Sequence, residues 1–171
     1  DEFLNSDAVR RVIDLEELTL ANVIRWNTAI SNIQDNVFFD ESVLIFEAPE
    51  DGANVSLFAN AGIVSLIDND TGSVLSFHRA RDVSQVILVG SNTSEDTFNL
   101  FIGRARGGIE NGIVVQCGDS AGDTLRLYGT PRHDDFSVGD GEASVNGNDV
   151  VFSGIEKVAV ATLFGRDNVS I

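Results

Sequence analysis

The sequence predicts an all-β domain, wound as a right-handed parallel β-helix or β-solenoid, with a β-sandwich as the alternative. Three observations predict it. Short apolar, β-branched stretches recur along the chain, most of them are bounded by Gly, Asn, Asp or Ser, and the segments repeat. The frequent Gly-Asp turns favour the solenoid, because a sandwich usually needs longer Greek-key connections.

The first part of the chain departs from this pattern. Residues 6–22 have apolar residues at helical spacing, but Glu16 interrupts the stripe, so a helix is expected only over the first turns. A repeat array has unsatisfied edges unless something caps it, so we expect residues 1–26 to cap a single repeat-built domain that spans residues 1–171. A cap would also explain why the chain before Phe39, including WNTAISNIQ, departs from the repeat pattern.

Two modules repeat, at about residues 49–103 and 129–171. Val86 in DVSQVILV aligns with Val158 in GIEKVAVA. Leu18 in DLEELTL precedes Val86 by nearly the same interval as that between Val86 and Val158. A strand unit of this size cannot bury its apolar face alone, and stacking on a neighbouring unit buries it in repeat proteins.

A shorter motif recurs as GSNTSEDTFNL, GDSAGDTLRL, GTPRHDDFSV and FGRDNVSI. Each copy has Gly, a few polar residues, Asp, one further residue and then alternating apolar positions. We expect the Gly to supply a positive φ and the Asp to cap the turn through its side chain. Alternate residues such as Phe98 and Leu100 then share one face of the following strand.

The strings GDTLRLYGTPRHDDFSV, VNGNDVVFSGIEKVAV and FGRDNVSI resemble the Gly/Asp-rich tandem repeats of large secreted or surface proteins of planctomycetes and similar bacteria. The resemblance is clear over about residues 123–171 and weaker over 54–100. The motif is also distantly similar to calcium-binding β-roll repeats, although the tight GGxGxD spacing is absent. The resemblance implies a β-helical, calcium-associated segment without catalytic residues, located extracellularly or on the cell surface.

Calcium is the ligand that the acidic turns predict. Hard cations take about six to eight oxygen ligands, and turns rich in Asp and Asn can supply them. The alternative at each turn is an Asp that accepts backbone N–H bonds without a metal. The candidate ligands are Asp68, Asp70, Asp119, Asp123, Asp134, Asp135 and Asp140.

Charge and cysteine content exclude several classes of protein. The chain has 27 acidic and 11 basic residues, a net charge of −16, which argues against ordinary nucleic-acid binding and against docking on anionic membranes. No apolar run is long enough to span a bilayer. Cys117 is the single cysteine, so it excludes an internal disulfide, and we expect it to be a small buried apolar residue.

The function predicted is that of a non-catalytic structural or adhesive repeat segment, whose partners are other repeats or subunits of the same protein. A carbohydrate-binding or polysaccharide-degrading module on the same scaffold is the alternative. Its candidate cations are the pairs Arg79/Arg81 and Arg104/Arg106, and Arg132 with His133. We expect these cations to pair with the abundant acids instead, and a single Trp and a single Tyr argue against an aromatic sugar platform.

Overall fold

The computed structural model describes residues 37–40, 42–103 and 109–171. The chain divides into two units, Asp1–Asp35 and Asn36–Ile171, and the described residues belong to the second. The predicted cap over residues 1–26, its helical turns and the pair Arg104/Arg106 lie outside the described residues. Within them the all-β prediction is confirmed, since the one helical element is a short 3₁₀ turn at Ala80–Asp82.

The described part of the chain forms fourteen strands, most of them short and bounded by turn residues as the sequence predicts. They are β1 (Val37–Asp40), β2 (Val43–Glu47), β3 (Asn54–Asn60), β4 (Ile63–Asp68), β5 (Val74–Arg79), β6 (Gln85–Val89), β7 (Thr97–Ile102), β8 (Ile113–Gln116), β9 (Thr124–Tyr128), β10 (Asp135–Val138), β11 (Glu142–Val145), β12 (Asn148–Ser153), β13 (Lys157–Ala161) and β14 (Asn168–Ser170).

The strands form two open sheets in which parallel and antiparallel pairs are mixed. Sheet A has the strand order β1-β2-β6-β8-β12-β11-β10-β14, and sheet B has the order β13-β9-β7-β3-β4-β5. The Phe46 and Phe98 rings, one from each sheet, meet edge to face with centroids 6.4 Å apart. Both sheets contribute to one hydrophobic core. Two mixed sheets that share a core fit the sandwich alternative.

Parallel pairing dominates the middle of both sheets. Strands β2, β6, β8 and β12 are parallel neighbours in sheet A, and β3, β7, β9 and β13 are parallel neighbours in sheet B. From β6 to β9 the chain alternates between the sheets. Val86 lies opposite Ile113 and Phe98 lies opposite Leu125, so both sheets advance by the same length of chain between β6–β7 and β8–β9.

Each face of sheet B has its own row of matching side chains. On the inner face Leu57, Leu100 and Leu127 lie opposite one another in β3, β7 and β9, and all three are fully buried. One residue further on, the outer face carries a stack of rings. Phe101 stacks on Phe58 with centroids 4.5 Å apart and on Tyr128 with centroids 4.3 Å apart. Like residues therefore recur at like positions across the parallel strands.

The two modules of the sequence have the same order of strand pairing. In the first, β3-β4-β5 is an antiparallel meander in sheet B, β6 lies in sheet A, and β7 returns to pair in parallel with β3. In the second, β10-β11-β12 is a meander in sheet A, β13 lies in sheet B, and β14 pairs in parallel with β10. The second module thus repeats the first with the sheets exchanged. Val86 and Val158 are each the second residue of equivalent strands, β6 and β13.

A candidate site formed by buried acidic side chains

The Asp of the turn motif is a buried hydrogen-bond acceptor. Asp96, the last residue of the turn in the first motif copy, is almost fully buried. Its Oδ2 accepts the backbone N–H of Ser91 over 2.6 Å, within the same turn, and its Oδ1 accepts the N–H of Ala53 over 2.7 Å. The predicted cap is confirmed here. The second bond goes further, because it reaches a residue 43 positions earlier in the chain.

The same bond recurs along sheet B. The N–H of Asp96 donates to Asp123 Oδ1 over 2.8 Å, and the N–H of Asp123 donates to Glu156 Oε2 over 2.9 Å. Ala53, Asp96, Asp123 and Glu156 each directly precede one of the parallel strands β3, β7, β9 and β13. We call Asp96, Asp123 and Glu156 the acid ladder. Each of its side chains accepts the N–H of the residue that precedes the neighbouring strand.

Sheet A repeats the arrangement at its far edge. Asp134, which directly precedes β10, is fully buried and accepts the N–H of Thr130 over 2.7 Å and the amide of Asn146 over 2.8 Å. The N–H of Asp134 donates to Asp167 Oδ1 over 2.9 Å, and Asp167 directly precedes β14. All four copies of the sequence motif therefore place an Asp immediately before a strand.

The glycine that opens the motif has a role different from the predicted one. Gly90, Gly118 and Gly129 do not have a positive φ, so that expectation was wrong for them, whereas Gly165 has φ 141°. A Cβ at Gly90 would lie 2.6 Å from Asp96 Oδ2 and 2.9 Å from Cys117 Sγ. A Cβ at Gly129 would lie 2.7 Å from Asp134 Oδ2. Glycine is needed there because the buried carboxylate occupies the space of a side chain.

One group of three potential metal ligands occurs in the described part of the chain: Asp96, Cys117 and Asp123, whose ligand atoms all lie within 4.8 Å of one another. Burial, and then the carboxylates of Asp123 and Asp96, raise the pKa of the Cys117 thiol to about 12. A neutral thiol is a poor metal ligand, and calcium prefers oxygen. The carboxylates already accept backbone N–H bonds, so the group fits a hydrogen-bonded support for the turns better than a cation site.

Asp96 and Cys117 were not among the predicted ligands, and Asp123 was. A signal for Asp96 exists in the sequence, because it holds the same motif position in GSNTSEDTFNL as Asp123 does in GDSAGDTLRL. Burial raises the pKa of the Asp96 carboxyl above its ordinary value, against the effect of the N–H bonds from Ser91 and Ala53. The negative charge of the neighbouring Asp123 carboxylate also raises the pKa of Asp96.

Apart from the buried Asp134, the other predicted ligands are dispersed over the surface. Asp68 closes the β4–β5 turn, where it accepts the N–H of Asp70 over 2.9 Å and the hydroxyl of Thr71 over 2.6 Å. The Thr71 hydroxyl bond lowers the pKa of the Asp68 carboxyl. Asp70 accepts an amide hydrogen from Asn54 over 3.3 Å. These contacts are those of an Asp-capped turn.

The three remaining predicted ligands are exposed. Asp135 accepts an amide hydrogen from Asn168 over 3.0 Å and lies 3.5 Å from His133 Nε2. Asp119 and Asp140 lie in the turns before β9 and β11. Of the seven predicted ligands, Asp123 alone joins a group of three potential ligands within the residues that the structure describes.

The predicted basic residues that the structure describes lie in different local environments. Arg81 Nε lies 3.6 Å from Asp82 Oδ1 on the surface, which is the expected pairing with an acid. His133 Nδ1 bonds the backbone carbonyl of Arg166. Arg132, Asn60, Thr130 and Pro131 line an open pocket of 450 Å³.

Comparison of the chain with known proteins finds no matching family model, curated protein or solved structure. No helix in the described ranges has the length and apolar character needed to cross a membrane.

Proposed function

We propose that this chain is a non-catalytic structural repeat segment of an extracellular or cell-surface protein, wound as a β-solenoid. The unit of winding is one coil, a strand of sheet A followed by a turn and a strand of sheet B, as in β6–β7 and β8–β9. The observation that carries the proposal is that both sheets advance by the same length of chain from the coil β6–β7 to the coil β8–β9. A common advance is expected when whole coils stack on one another.

The acid ladder supports the same proposal. A coil that slipped by one residue would turn its inner side chains to the outer face. The bond from each coil's backbone N–H to the next coil's carboxylate opposes such a slip, because it links a fixed position before one strand to the same position before the next. Hydrogen bonds to charged acceptors contribute about 1.5–3 kcal/mol each.

The chemistry of the buried polar groups favours a structural role over a catalytic one. The ladder carboxylates are engaged by backbone N–H groups, and the high pKa of Cys117 keeps its thiol neutral near pH 7. The rings of Phe58, Phe101 and Tyr128 form one stack, so both faces of Phe101 and one face each of Phe58 and Tyr128 are used within the protein. A sugar platform needs such ring faces to be free for the ligand.

Excision of one coil tests the proposal. Deleting residues 91–117 removes the length of one coil and joins Gly90 to Gly118, so that β6 leads into the turn before β9. If coils are the structural unit, β3 then pairs with β9, and Asp123 replaces Asp96 as the acceptor for Ala53. We expect a folded chain with a β-type circular dichroism spectrum, cooperative urea unfolding and a lower unfolding midpoint than the parent chain.

The control deletion removes half a coil. Deleting residues 104–116 joins β7 to the turn before β9, and two parallel strands of one sheet would then be connected by a short turn. Parallel neighbours need a crossover of roughly a dozen residues or more, so this chain should not fold. A whole-coil deletion that unfolds as completely as the half-coil deletion would contradict the proposal.

Stabilisation by calcium is the second part of the proposal. It is motivated by the net charge of −16 and by the exposed turn carboxylates of Asp70, Asp119, Asp135 and Asp140. The melting temperature, followed by circular dichroism, should rise when calcium is added from micromolar to millimolar concentration after treatment with EDTA. An unchanged melting temperature would contradict stabilisation by calcium but would not affect the solenoid proposal.

A further inference from the structure

The hydrophobic core is open along the edges of β13 and β14. Val158 lies opposite Leu125 and is only partly buried, although Leu125 is fully buried. Val169 in β14 lies opposite Phe136, which is 3% exposed, whereas Val169 is 45% exposed. Inner-face positions that are covered in β9 and β10 are therefore less well covered one strand further out.

The molecule contains a covered version of the same edge. Strands β13 and β14 of the second module correspond to β6 and β7 of the first. The outer edges of β6 and β7 are covered by β8 and β9, both in parallel pairing. Val86 and Phe98, which correspond to Val158 and Val169, are fully buried as a result.

We infer that the β13–β14 edge binds a strand-turn-strand segment of the same repeat type as β8–β9, supplied by a second repeat-bearing chain. This inference rests on the proposed function, since it treats the coil as the unit of stacking. The interface is a continuation of the one between β6–β7 and β8–β9, in which main-chain pairing provides affinity and alternate side chains provide specificity.

The equivalence specifies what the incoming segment must contain. The N–H of Asp96 bonds Asp123 Oδ1, so the corresponding N–H of Asp167 should bond an Asp that precedes the second incoming strand. Leu125 lies opposite Phe98 and Leu127 lies opposite Leu100. Apolar residues at these two incoming positions would cover Val169 and Ile171. The recognised pattern is thus an Asp, one residue and two alternating apolar residues.

Charge also favours a repeat segment as the occupant. Residues 157–171 carry Lys157 and Arg166 against Asp167, a net charge of +1, in a chain whose total is −16. Repeats of this kind are acidic, so most of the surface repels a second copy of the repeat. The β13–β14 segment does not add to that repulsion.

A peptide of residues 109–128, which carries β8 and β9, is the probe. Titrated into the full chain, it should slow amide hydrogen exchange in β13 and β14 in a saturable way. Its Asp123→Ala version should bind about tenfold more weakly, because the acceptor for the Asp167 N–H is lost. In the chain, Val169→Asp should abolish binding, and Val151→Asp, at a residue 54% exposed on β12, should not change it.

If the free peptide aggregates, the inference can be tested with a chain in which the incoming segment is fused after Ile171. Ile171 corresponds to Leu100, so residues 101–128 can be appended after Ile171 in phase. The appended chain should unfold at a higher urea concentration than the parent. A matched chain with the appended residues corresponding to Leu125 and Leu127 changed to Ser should not.

Absence of protection by the peptide, together with an unchanged midpoint for the appended chain, would overturn the inference. Protection confined to β1 or β5 would also overturn it, because it would place the contact on another edge. Either result leaves the coil-excision experiment unaffected, so failure of this inference can be distinguished from failure of the proposed function.

Discussion

The parallel strands in the middle of the sheets and the β4–β5 hairpin use aspartate in opposite ways. Asp123 is fully buried and accepts the backbone N–H of Asp96, 27 residues away. Asp68 lies at the surface and accepts bonds from Asp70 and Thr71 in its own turn. The first Asp holds two neighbouring strands in register, and the second shapes one turn.

Apolar burial differs between the two regions in the same direction. Leu100 in β7 is fully buried, whereas Val74 and Phe77 in β5 are 56% and 48% exposed. The hairpin strand has a neighbour on one side only in the described residues, and β7 has one on both sides. Strand β4 of the hairpin has Val64 and Leu66 fully buried, so we expect the parallel stack to carry most of the stability and β5 alone to contribute little.

The largest expected effect is that of Asp123→Ala. It leaves the buried N–H of Asp96 without its acceptor, and we expect a loss of about 3 kcal/mol in the free energy of unfolding. Asp68→Ala is the matched change in the hairpin and should cost only about 0.5 kcal/mol. Urea unfolding measures both, and equal losses would remove the distinction between the two regions.

A smaller effect is expected from adding a methyl group to the motif glycine. Gly129→Ala would place its Cβ 2.7 Å from Asp134 Oδ2 and should destabilise the chain by about 1–3 kcal/mol. Gly139→Ala is the control, because its Cβ would meet no atom closer than 3.5 Å and its φ is not positive. The control should leave the urea midpoint nearly unchanged. A harmless Gly129→Ala would mean that the buried carboxylate can move aside.

The smallest effect is a difference in pH dependence. Burial raises the pKa of Asp96 in the folded state, so its contribution to stability is full below the unfolded-state pKa and is lost as pH rises through the folded-state pKa. The Thr71 hydrogen bond lowers the pKa of Asp68, so its contribution is present above the unfolded-state pKa and is lost as pH falls through the folded-state pKa.

Unfolding free energies measured between about pH 3 and pH 7 check both signs. Asp96→Asn should remove a loss of stability that accompanies rising pH. Asp68→Asn should remove a loss of stability that accompanies falling pH. The slopes with pH are compared, since an amide in place of the Asp96 carboxylate also shifts the absolute stability. Slopes of the same sign for both positions would contradict the assignment.

Local pattern predicts the strands and the turns well. The stretches TFNLF and TLRLY alternate apolar and polar residues and form β7 and β9, and the motif Asp precedes a strand in every copy. The alignment of Val86 with Val158 joins equivalent positions because both modules have the same order of strands. The sequence carries this information because strand period and turn chemistry are local properties.

Pairing partners and burial of the acids could not be predicted in this way. The exchange of sheets between the modules depends on contacts between distant strands, which no local pattern encodes. Asp119 and Asp123 stand in the same turn sequence, yet one is exposed and the other is buried. What distinguishes them is the N–H of Asp96 in the preceding strand pair, which bonds Asp123.

The direction of the acid ladder has a consequence for synthesis. The N–H of Ala53 finds its acceptor in Asp96, that of Asp96 in Asp123, and that of Asp123 in Glu156, so every acceptor is translated after its donor. On the ribosome, the chain emerges from its N-terminus, so each backbone donor is made before its carboxylate acceptor. The hydrogen bonds of each strand of the ladder can therefore be completed only after the next strand has been made.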